Sequence, residues 1–302
     1  MKLKNLLTKI IVRLDDKNII RLSDERKIEL EYQLYFDKQL DLDNPQTFNE
    51  KMQWLKLNDR RKIYTELVDK YEVKKFISNI IGDEYIIPTI GIYDRFEEIN
   101  FELLPNEFVI KTTHDSGGII ICKDKSKFDY NKAKKKITKF ISRRYYQIHR
   151  EWPYKNVKPR IIVEKYMSND DKELDDYKIH NFNGVPKIIL VCRDRYSESG
   201  LKEDFFDVNW NHLNIKRPDH DNSSQIIEKP KELEKMLELS KIISKNIPFV
   251  RTDFYVINGK VYFGEITFYP SAGFAKFEPN EWDLELGTWL KLPETEGVIN
   301  EK

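Results

Sequence analysis

The stretch Phe249-Val-Arg-Thr-Asp-Phe-Tyr-Val-Ile-Asn-Gly-Lys-Val-Tyr-Phe-Gly-Glu-Ile-Thr-Phe-Tyr-Pro-Ser-Ala-Gly273 predicts a β-hairpin. Two runs of aromatic and β-branched residues flank Asn258-Gly259, a dipeptide that favours a tight turn between antiparallel strands. The runs are apolar enough to be buried, yet they carry Arg251, Asp253 and Glu265. Buried charges are costly unless they are paired or hold a metal, so a divalent cation between the two carboxylates is one explanation. The other is a hairpin whose acidic side chains face solvent or pair with lysines.

The register of this hairpin decides whether its two acidic residues can share a metal ion. With a strict two-residue turn at Asn258-Gly259, Asp253 falls opposite Gly264. Because side chains alternate along a strand, Asp253 and Glu265 would then face opposite sides of the sheet. A shared metal needs both carboxylates on one face. The metal hypothesis therefore predicts an odd-length turn or a β-bulge in this hairpin.

Composition limits the classes of protein to which the chain can belong. Its 302 residues suffice for one large domain or for several subdomains. Its 52 lysines and arginines almost cancel its 51 aspartates and glutamates, which argues against general nucleic-acid binding. Cys122 and Cys192 are the only cysteines and predict neither a disulfide framework nor a zinc site. We expect a soluble cytoplasmic protein that binds no nucleic acid.

The first residues of the chain have a pattern of their own. Residues 1–13 mix lysines with a short apolar run and predict a surface helix that can face a membrane. They lack the cleavage-site signature of a secretory signal. No apolar run elsewhere approaches the length that spans a bilayer. The sequence thus predicts no transmembrane segment and allows peripheral association with a membrane.

Residues 1–84 are predicted to be mostly helical. Thr47, followed three residues later by Glu50, forms a capping-box pattern at the start of one helix. Residues 61–81 predict a further helix. Lys70 lies within it and, taken alone, is most simply interpreted as a solvated surface lysine.

A glycine-containing loop joins two predicted strands between residues 108 and 124. The loop His114-Asp-Ser-Gly-Gly118 can present backbone N–H groups to phosphate oxygens, because glycine allows a ligand to approach the backbone closely. Lys111, on the strand that enters the loop, can add a positive charge near the same phosphates. An ordinary hairpin is the alternative, and the spacing of a Walker A phosphate loop is absent.

Two amphipathic helices are predicted in the remaining sequence. Residues 129–150 predict a basic helix, which is either a solvated surface helix or a binding face for an acidic substrate. Residues 230–247 predict a helix with a regular apolar face that leads into the terminal hairpin.

Three further strands are predicted between these helices. The run 159–167 contains a buried strand that ends in Glu164. A second strand begins at Asp176 and turns at Asn183-Gly184 into a third. Lys178 and His180 share one face of the second strand, because side chains alternate. A single histidine in such a position is interpreted as structural and not as a catalytic base.

The order of these elements resembles that of the ATP-grasp enzymes. The sequence most closely resembles the TupA-like (teichuronopeptide-biosynthesis) branch, a resemblance that covers roughly residues 45–290. The motifs that carry it are Thr47-Phe-Asn-Glu50, Asp69-Lys-Tyr71, Phe108-Val-Ile-Lys-Thr-Thr-His114, Tyr177-Lys-Ile-His180 and Gly264-Glu-Ile-Thr-Phe268. It implies an α+β ATP-grasp fold, in which two α+β subdomains grip ATP between antiparallel sheets. The implied parts are a helical N-terminal region (1–84), a small subdomain with the glycine loop and the adenine hinge (85–168) and a large subdomain with the metal-binding hairpin (169–302).

The resemblance also implies which residues bind the nucleotide. Lys70 and Lys111 match lysines that contact the phosphates of ATP. A mobile loop over the triphosphate corresponds to Ser116, Gly117 and Gly118. The hinge that receives adenine through backbone groups corresponds to Glu164, Lys165, Tyr166 and Met167. The ribose-binding acid is expected shortly afterwards, where Asp171 and Glu173 are both candidates.

A second set of residues is implied for the chemical step. Lys178 is a further nucleotide contact, and Arg251 matches the arginine that steadies the γ-phosphate and an acyl phosphate. Asp253 and Glu265 match the ligands of Mg²⁺. Most ATP-grasp ligases have asparagine as a third ligand two residues after this glutamate, whereas Thr267 stands here. A hydroxyl is a weaker neutral ligand, which puts full occupancy by magnesium in doubt.

The function implied by the resemblance is that of an ATP-dependent carboxylate–amine ligase. The branch is associated with bacterial cell-surface polysaccharides, so the expected partners are a carboxylate of a sugar or glycan and an amine or amino acid. One alternative is a glycosyltransferase, for which Asp170-Asp171 or Asp175-Asp176 would bind the metal. It leaves the lysines, the hinge and the terminal hairpin unexplained. The other alternative is a non-catalytic assembly protein, if Thr267 abolishes metal binding.

Overall fold

A computed structural model describes residues 2–169, 174–195, 197–198 and 200–294. The helices in these ranges are α1 (Lys2–Asp16), α2 (Asp24–Phe36), α3 (Phe48–Asn58), α4 (Ile63–Val68), α5 (Glu72–Ile81), α6 (Tyr130–Ile141), α7 (Tyr146–His149), α8 (Leu233–Ile243) and α9 (Glu281–Trp289). The strands are β1 (Thr89–Tyr93), β2 (Phe108–Thr112), β3 (Ile119–Cys122), β4 (Ile161–Lys165), β5 (Asp176–Phe182), β6 (Val185–Arg193), β7 (Lys202–Asp207), β8 (Phe249–Ile257) and β9 (Lys260–Thr267).

The strands form two antiparallel sheets. The smaller sheet has the order β1-β4-β2-β3, and the larger has the order β7-β6-β5-β8-β9. Apolar side chains of α3, α4 and α5 pack in one core with the larger sheet, whereas α6 packs on the smaller sheet around Phe108, Ile110 and Ile137. Two antiparallel sheets with helices packed on them, preceded by a helical region, agree with the expected α+β architecture. The division into residues 1–84, 85–168 and 169–302 stays a prediction.

The predicted helix start at Thr47 is confirmed. The Thr47 hydroxyl accepts a hydrogen bond from the Glu50 backbone N–H (3.3 Å), and the Glu50 carboxylate accepts one from the Thr47 backbone N–H (2.9 Å). This reciprocal pair satisfies two of the N–H groups that lack a partner in the first turn of a helix.

The prediction of one helix over residues 61–81 is wrong, because the chain forms two helices there. The Asp69 carboxylate accepts a hydrogen bond from the Tyr71 backbone N–H (2.9 Å) and so starts α5 anew. Asp69 is itself held by Arg160, whose Nη2 lies 2.8 Å from Oδ2. Lys70 therefore lies in the gap between α4 and α5, and its backbone N–H donates to the Thr113 carbonyl (3.1 Å).

The prediction of one helix over residues 129–150 is also wrong, because α6 ends at Ile141. A separate turn, α7, follows, and Arg150 then takes a left-handed conformation with φ of 54°. Tertiary charge pairing holds this residue, since the Arg150 guanidinium lies 2.7 Å from the buried Asp15 and 3.2 Å from Asp24. As a result, Tyr145 and Glu151 lie at a cavity of the protein and not on a continuous helix surface.

The predicted irregularity in the terminal hairpin is confirmed as a bulge. Asp253 is directly opposite Glu265, but Phe254 is opposite Phe263, so Gly264 is the extra residue. The two-residue turn is kept, with φ of 51° at Asn258 and of 73° at its glycine partner. A Cβ at Gly264 would lie 3.0 Å from the Tyr255 ring, which leaves little room for a side chain. The bulge brings both carboxylates onto one face of the larger sheet.

Helix α1 presents an apolar stripe to solvent. Thr8, Val12 and Asp15 are buried on its inner face. Its outer face exposes Leu6, Leu7, Ile10 and Ile11 by 54%, 54%, 44% and 37%, with exposed Lys9 and Arg13 beside them. Among the described residues, no helix is both long and apolar enough to cross a membrane.

Candidate functional site

A cavity of about 220 Å³ lies between the two sheets. Its lining comes from both sheets and from the segment after β4, and comprises Ile87, Val109, Lys111, Ile119, Ile121, Lys123, Glu164, Lys165, Tyr166, Met167, Leu174, Asp176, Arg195 and Tyr255. The walls are mostly apolar, with a few charged groups directed inwards. Apolar walls with a few polar groups are typical of a site for a small molecule. The cavity contains Lys111 and all four residues of the predicted hinge.

Two lysines hold the buried carboxylate of Glu164. Lys111 Nζ lies 2.7 Å from Glu164 Oε2, and Lys74 Nζ contacts the other oxygen. Burial is the largest single influence and raises the pKa of Glu164, but the charges of Lys111 and Lys74 together outweigh it, so the pKa is lower than usual. Lys74 also donates to the Ile87 carbonyl (2.8 Å), which fixes it in place. Of these two lysines, Lys111 is the one that lines the cavity between the sheets, where a ligand can reach it.

Lys74 is a site residue that sequence reasoning missed. It lies in the first turn of α5, four residues after Lys70, which precedes that helix, so no helical spacing relates the two lysines.

The predicted hinge is partly occupied by contacts within the protein. The Lys165 backbone N–H donates to the Pro88 carbonyl (3.0 Å), and its side chain is exposed. Tyr166 lies under Lys123, whose Nζ is 5.7 Å from the ring centroid. The predicted ribose-binding candidates Asp171 and Glu173 lie outside the described residues.

The glycine loop lies between β2 and β3, and Lys70 contacts it. Lys70 Nζ donates to the Asp115 carbonyl (2.8 Å) and lies 3.9 Å from Glu265 Oε2. Gly117 has φ of 90°, in the region that favours glycine, and a Cβ at Gly118 would lie 2.1 Å from Thr112 Oγ1. The fold therefore brings Lys70 to the loop and to the terminal hairpin together.

Charged side chains from three adjacent strands lie on one face of the larger sheet. Lys178 on β5 pairs with Asp253 on β8, which pairs with Glu265 on β9. The next layer on the same face is His180, Arg251 and Thr267.

Ion pairs join these groups. Arg251 Nε and Nη2 lie 2.6 and 2.7 Å from the two Asp253 oxygens, and Nη2 lies 3.3 Å from Glu265 Oε1. Lys178 Nζ lies 2.5 Å from Asp253 Oδ2. Burial alone raises the pKa of Asp253, but Arg251 and Lys178 outweigh it and hold the pKa below the usual value.

The donor set on this face fits a magnesium ion that is shared with a polyphosphate. Two carboxylates, Asp253 and Glu265, lie side by side, and the Arg251 guanidinium already stands between them as a cation. Thr267 lies on the same face and lines a cavity together with Arg251 and Glu265. No group of three metal-binding acidic, histidine or cysteine side chains occurs among the described residues. Mg²⁺ commonly binds through one or two carboxylates and completes its shell with phosphates and water.

His180 stays neutral on this face, as expected for a structural residue. Burial and the positive charge of Arg251 lower the pKa of His180 to about 3. One ring nitrogen, Nδ1, lies 3.2 Å from the Lys178 carbonyl.

A second cavity, of about 350 Å³, adjoins the charged face. Its lining residues are Lys70, Ser116, Tyr145, His149, Glu151, Tyr154, Arg251, Glu265, Thr267, Tyr269, Ser271 and Ala272. It thus brings together five residues predicted from the sequence, from the lysine segment, the glycine loop and the terminal hairpin. Tyr145, Glu151 and Tyr154 were missed, because Tyr145 lies within the predicted helix over residues 129–150 and the other two follow it without a motif signal.

Comparison with known proteins gives one family match and several similar folds. The family model described as TupA-like ATPgrasp matches residues 50–291. No curated protein is significantly similar to the chain in sequence. D-alanine–D-alanine ligase from Bacillus anthracis complexed with ATP is 19% identical, with a TM-score of 0.38, over 67% of this chain and 55% of that one. The enzyme of the same name from Helicobacter pylori is 16% identical, with a TM-score of 0.43, over 80% and 69%. The ATP-grasp ligase PsnB, complexed with minimal precursor, Mg and ADP, is 8% identical, with a TM-score of 0.37, over 73% and 57%.

These structures are longer than the matched part of this chain. The chain spans little more than half of the Bacillus anthracis enzyme and of PsnB. With TM-scores below 0.5, a shared reaction does not follow from the likeness.

Proposed function

This chain belongs to the TupA-like ATP-grasp family, and we propose that it is an ATP-dependent carboxylate–amine ligase. The observation that carries the proposal is the bulge at Gly264, through which Asp253 and Glu265 share one face beside Arg251. A hairpin without a metal function has no need to bury an acid and an arginine there, since buried charges are costly.

The cavity between the sheets is the proposed adenine site. The Lys165 N–H already donates a hydrogen bond to the Pro88 carbonyl. We therefore expect the backbone groups of Tyr166 and Met167 to form the hydrogen bonds with adenine. Lys111 and Lys70 would supply positive charge along the phosphates, and the Ser116–Gly118 loop would cover them. For the ribose, Asp171 and Glu173 stay equal candidates.

Asp253, Glu265 and Thr267 are the proposed magnesium ligands. When bound, Mg²⁺ neutralises negative charge on the phosphates of ATP. Arg251 lines the second cavity and is held there by Asp253, so its guanidinium is oriented without further cost in side-chain entropy. Lys178 balances the charge of Asp253 and is proposed as a further contact to the nucleotide.

The proposed reaction has two steps. In the first, an oxygen of the substrate carboxylate bonds to the γ-phosphorus, the bond from that phosphorus to the β–γ bridging oxygen breaks, and ADP leaves. In the second, the nitrogen of the amine bonds to the acyl carbon, the carbon–oxygen bond to phosphate breaks, and a proton leaves the nitrogen. The acyl phosphate is open to hydrolysis, so the site must exclude water between the steps.

The proposed substrates and location follow the setting of the family. The carboxylate is that of a sugar acid in a bacterial cell-surface polysaccharide or its precursor, and the amine is an amino acid or a similar compound. The reaction would take place in the cytoplasm, where ATP is available. The exposed stripe of α1, with Lys9 and Arg13 beside Leu6 and Ile10, suits an anionic membrane surface.

The nucleotide product distinguishes this proposal from its alternatives. The protein is incubated with magnesium, ATP, a mixture of uronic acids and a mixture of amino acids, and nucleotides are separated by chromatography. We expect ADP and phosphate, formed only slowly when either substrate mixture is omitted. AMP with pyrophosphate, or a nucleoside diphosphate released from a nucleotide sugar, would contradict the proposal. ATP binding without turnover would favour an assembly protein.

The Glu265→Gln variant tests the metal assignment within the same assay. The substitution keeps the shape of the side chain and removes one negative charge. We expect turnover to fall by orders of magnitude, because metal stabilisation of the transition state is worth several kcal/mol. Some nucleotide binding should remain, because the cavity between the sheets is unchanged. Glu234→Gln, on the exposed surface of α8, is the matched control.

A further inference from the structure

The lining of the second cavity combines cations with a buried carboxylate. The cations are Lys70 and Arg251, which adjoin the proposed phosphate and metal residues. The carboxylate is that of Glu151, which is only 4% exposed. Tyr145 and Tyr154 line the same cavity. The cavity therefore offers a buried carboxylate and aromatic rings in addition to the residues proposed for the phosphates.

Glu151 lacks a direct cationic partner among the residues that the structure describes. No lysine, arginine or histidine nitrogen there lies within 4.0 Å of its oxygens. Lys56 is the cation with the largest electrostatic influence on Glu151, but it does not pair with the carboxylate. Its Nζ donates instead to the carbonyls of His149 (2.9 Å) and Ala272 (2.7 Å). A buried carboxylate is costly unless a cation pairs with it.

We propose that Glu151, with Tyr145 and Tyr154, binds the ammonium group of the amine substrate. The inference rests on the proposed ligase function and deepens it by identifying where the amine binds. A primary ammonium would gain a charge-assisted hydrogen bond from the carboxylate, and aromatic faces attract cations that are removed from water. The substrate class is a primary amine, such as an amino acid, small enough for a cavity of about 350 Å³.

The same carboxylate can take the proton that must leave the nitrogen. An ammonium has no lone pair, so it must lose a proton before its nitrogen can bond to the acyl carbon. Burial raises the pKa of Glu151 above that of an ordinary glutamate, which makes it a better proton acceptor. One proton passes from the ammonium to a Glu151 oxygen, and the nitrogen lone pair bonds to carbon. The phosphate leaves with the electrons of the broken carbon–oxygen bond and takes the second proton that the nitrogen must lose to become an amide.

The test separates the two steps of the reaction. Hydroxylamine at high concentration reacts chemically with an acyl phosphate to give a hydroxamate, so it reports the first step without the amine site. The carboxylate probe is the uronic acid (glucuronate, galacturonate or mannuronate) that gives most hydroxamate with the wild type. The amine probe is the amino acid that gives most ADP with that uronic acid.

We expect Glu151→Gln to form hydroxamate at the wild-type rate and with the wild-type KM for ATP. Its KM for the amino acid should rise by about 10- to 150-fold, the loss expected for a charged hydrogen bond. Glu151→Asp should recover part of the loss. Tyr154→Leu gives a second variant that leaves the carboxylate intact and should raise the same KM. Glu234→Gln should change nothing.

Two results would overturn the inference, and they differ from failure of the ligase proposal. An unchanged KM for the amino acid in folded Glu151→Gln and Tyr154→Leu would show that these residues do not bind the amine. Equal losses of hydroxamate and of amine-dependent turnover would show that Glu151 supports the site as a whole. If the wild type gives neither hydroxamate nor ADP with any probe, the ligase proposal itself fails.

Discussion

Replacing Lys111 by alanine should weaken ATP binding more than it weakens the fold. The Lys111 ammonium lines the cavity between the sheets and lies 2.7 Å from Glu164. In the free protein it neutralises this buried carboxylate jointly with Lys74. In the complex it would also face the phosphates. The variant therefore removes one of two charges from Glu164 and, at the same time, a cation from the nucleotide.

The two effects have different expected sizes. Loss of a hydrogen bond to a charged group costs about 1.5–3 kcal/mol, which raises the Kd for ATP by roughly 10- to 150-fold. Breaking a fully buried ion pair costs about 3–5 kcal/mol of stability. Here Lys74 stays on Glu164, and the Lys111 side chain is 23% exposed, so we expect a smaller loss, of about 1–2 kcal/mol.

Calorimetric titration with ATP and with adenosine measures the first effect, and urea unfolding measures the second. Adenosine carries no phosphates, so its Kd should change little in Lys111→Ala. Lys127→Ala, at a side chain that is 83% exposed, is the control for loss of a lysine.

An ATP Kd within about twofold of the wild type, in a variant that folds, would remove Lys111 from the nucleotide site. Equal weakening of ATP and adenosine would show that Lys111 acts through the shape of the cavity, and the charge argument would be wrong.

Three other perturbations test separate parts of the structure. Because burial lowers the pKa of His180 to about 3, its contribution to stability is complete above about pH 6.5 and is lost as the pH falls, by up to about 1.4 kcal/mol per pH unit. The free energy of unfolding of His180→Gln, measured in urea, should therefore fall less steeply than that of the wild type between pH 6.5 and 4.5. Parallel curves of unfolding free energy against pH would refute the low pKa of His180. Gly118→Ala should lower turnover by at least tenfold, since its Cβ would lie 2.1 Å from Thr112 Oγ1, and normal kinetics would show that the loop adapts. Sedimentation with anionic vesicles should carry down the wild type but not a Leu6→Asp, Ile10→Asp double variant, and equal recovery of both would exclude α1 as a membrane contact.

Local features of the fold could be predicted from the sequence, because their causes lie within a few residues. The Thr47–Glu50 capping box involves groups that are three residues apart, and the tight turn at Asn258-Gly259 depends on two backbone conformations. An odd-length turn or a bulge in the hairpin followed from the strict alternation of side chains and the requirement that two acids share a face, and the structure has a bulge at Gly264. The order of motifs along the chain was sufficient to identify the family and five of the twelve residues that line the second cavity.

Contacts between distant segments decided the rest. The breaks at Asp69 and after Ile141 depend on Arg160 and on the buried pairing of Arg150 with Asp15, whose partners are about 90 and 135 residues away. Local apolar periodicity continues through both breaks, so no pattern within either segment could reveal them. Lys74 and Glu151 became site residues only because the fold brings one helix to β4 and a non-helical turn to the terminal hairpin. Propensity and periodicity act over a few residues, whereas the charge pairs and cavities of this protein depend on which elements pack together, and only the tertiary structure decides that.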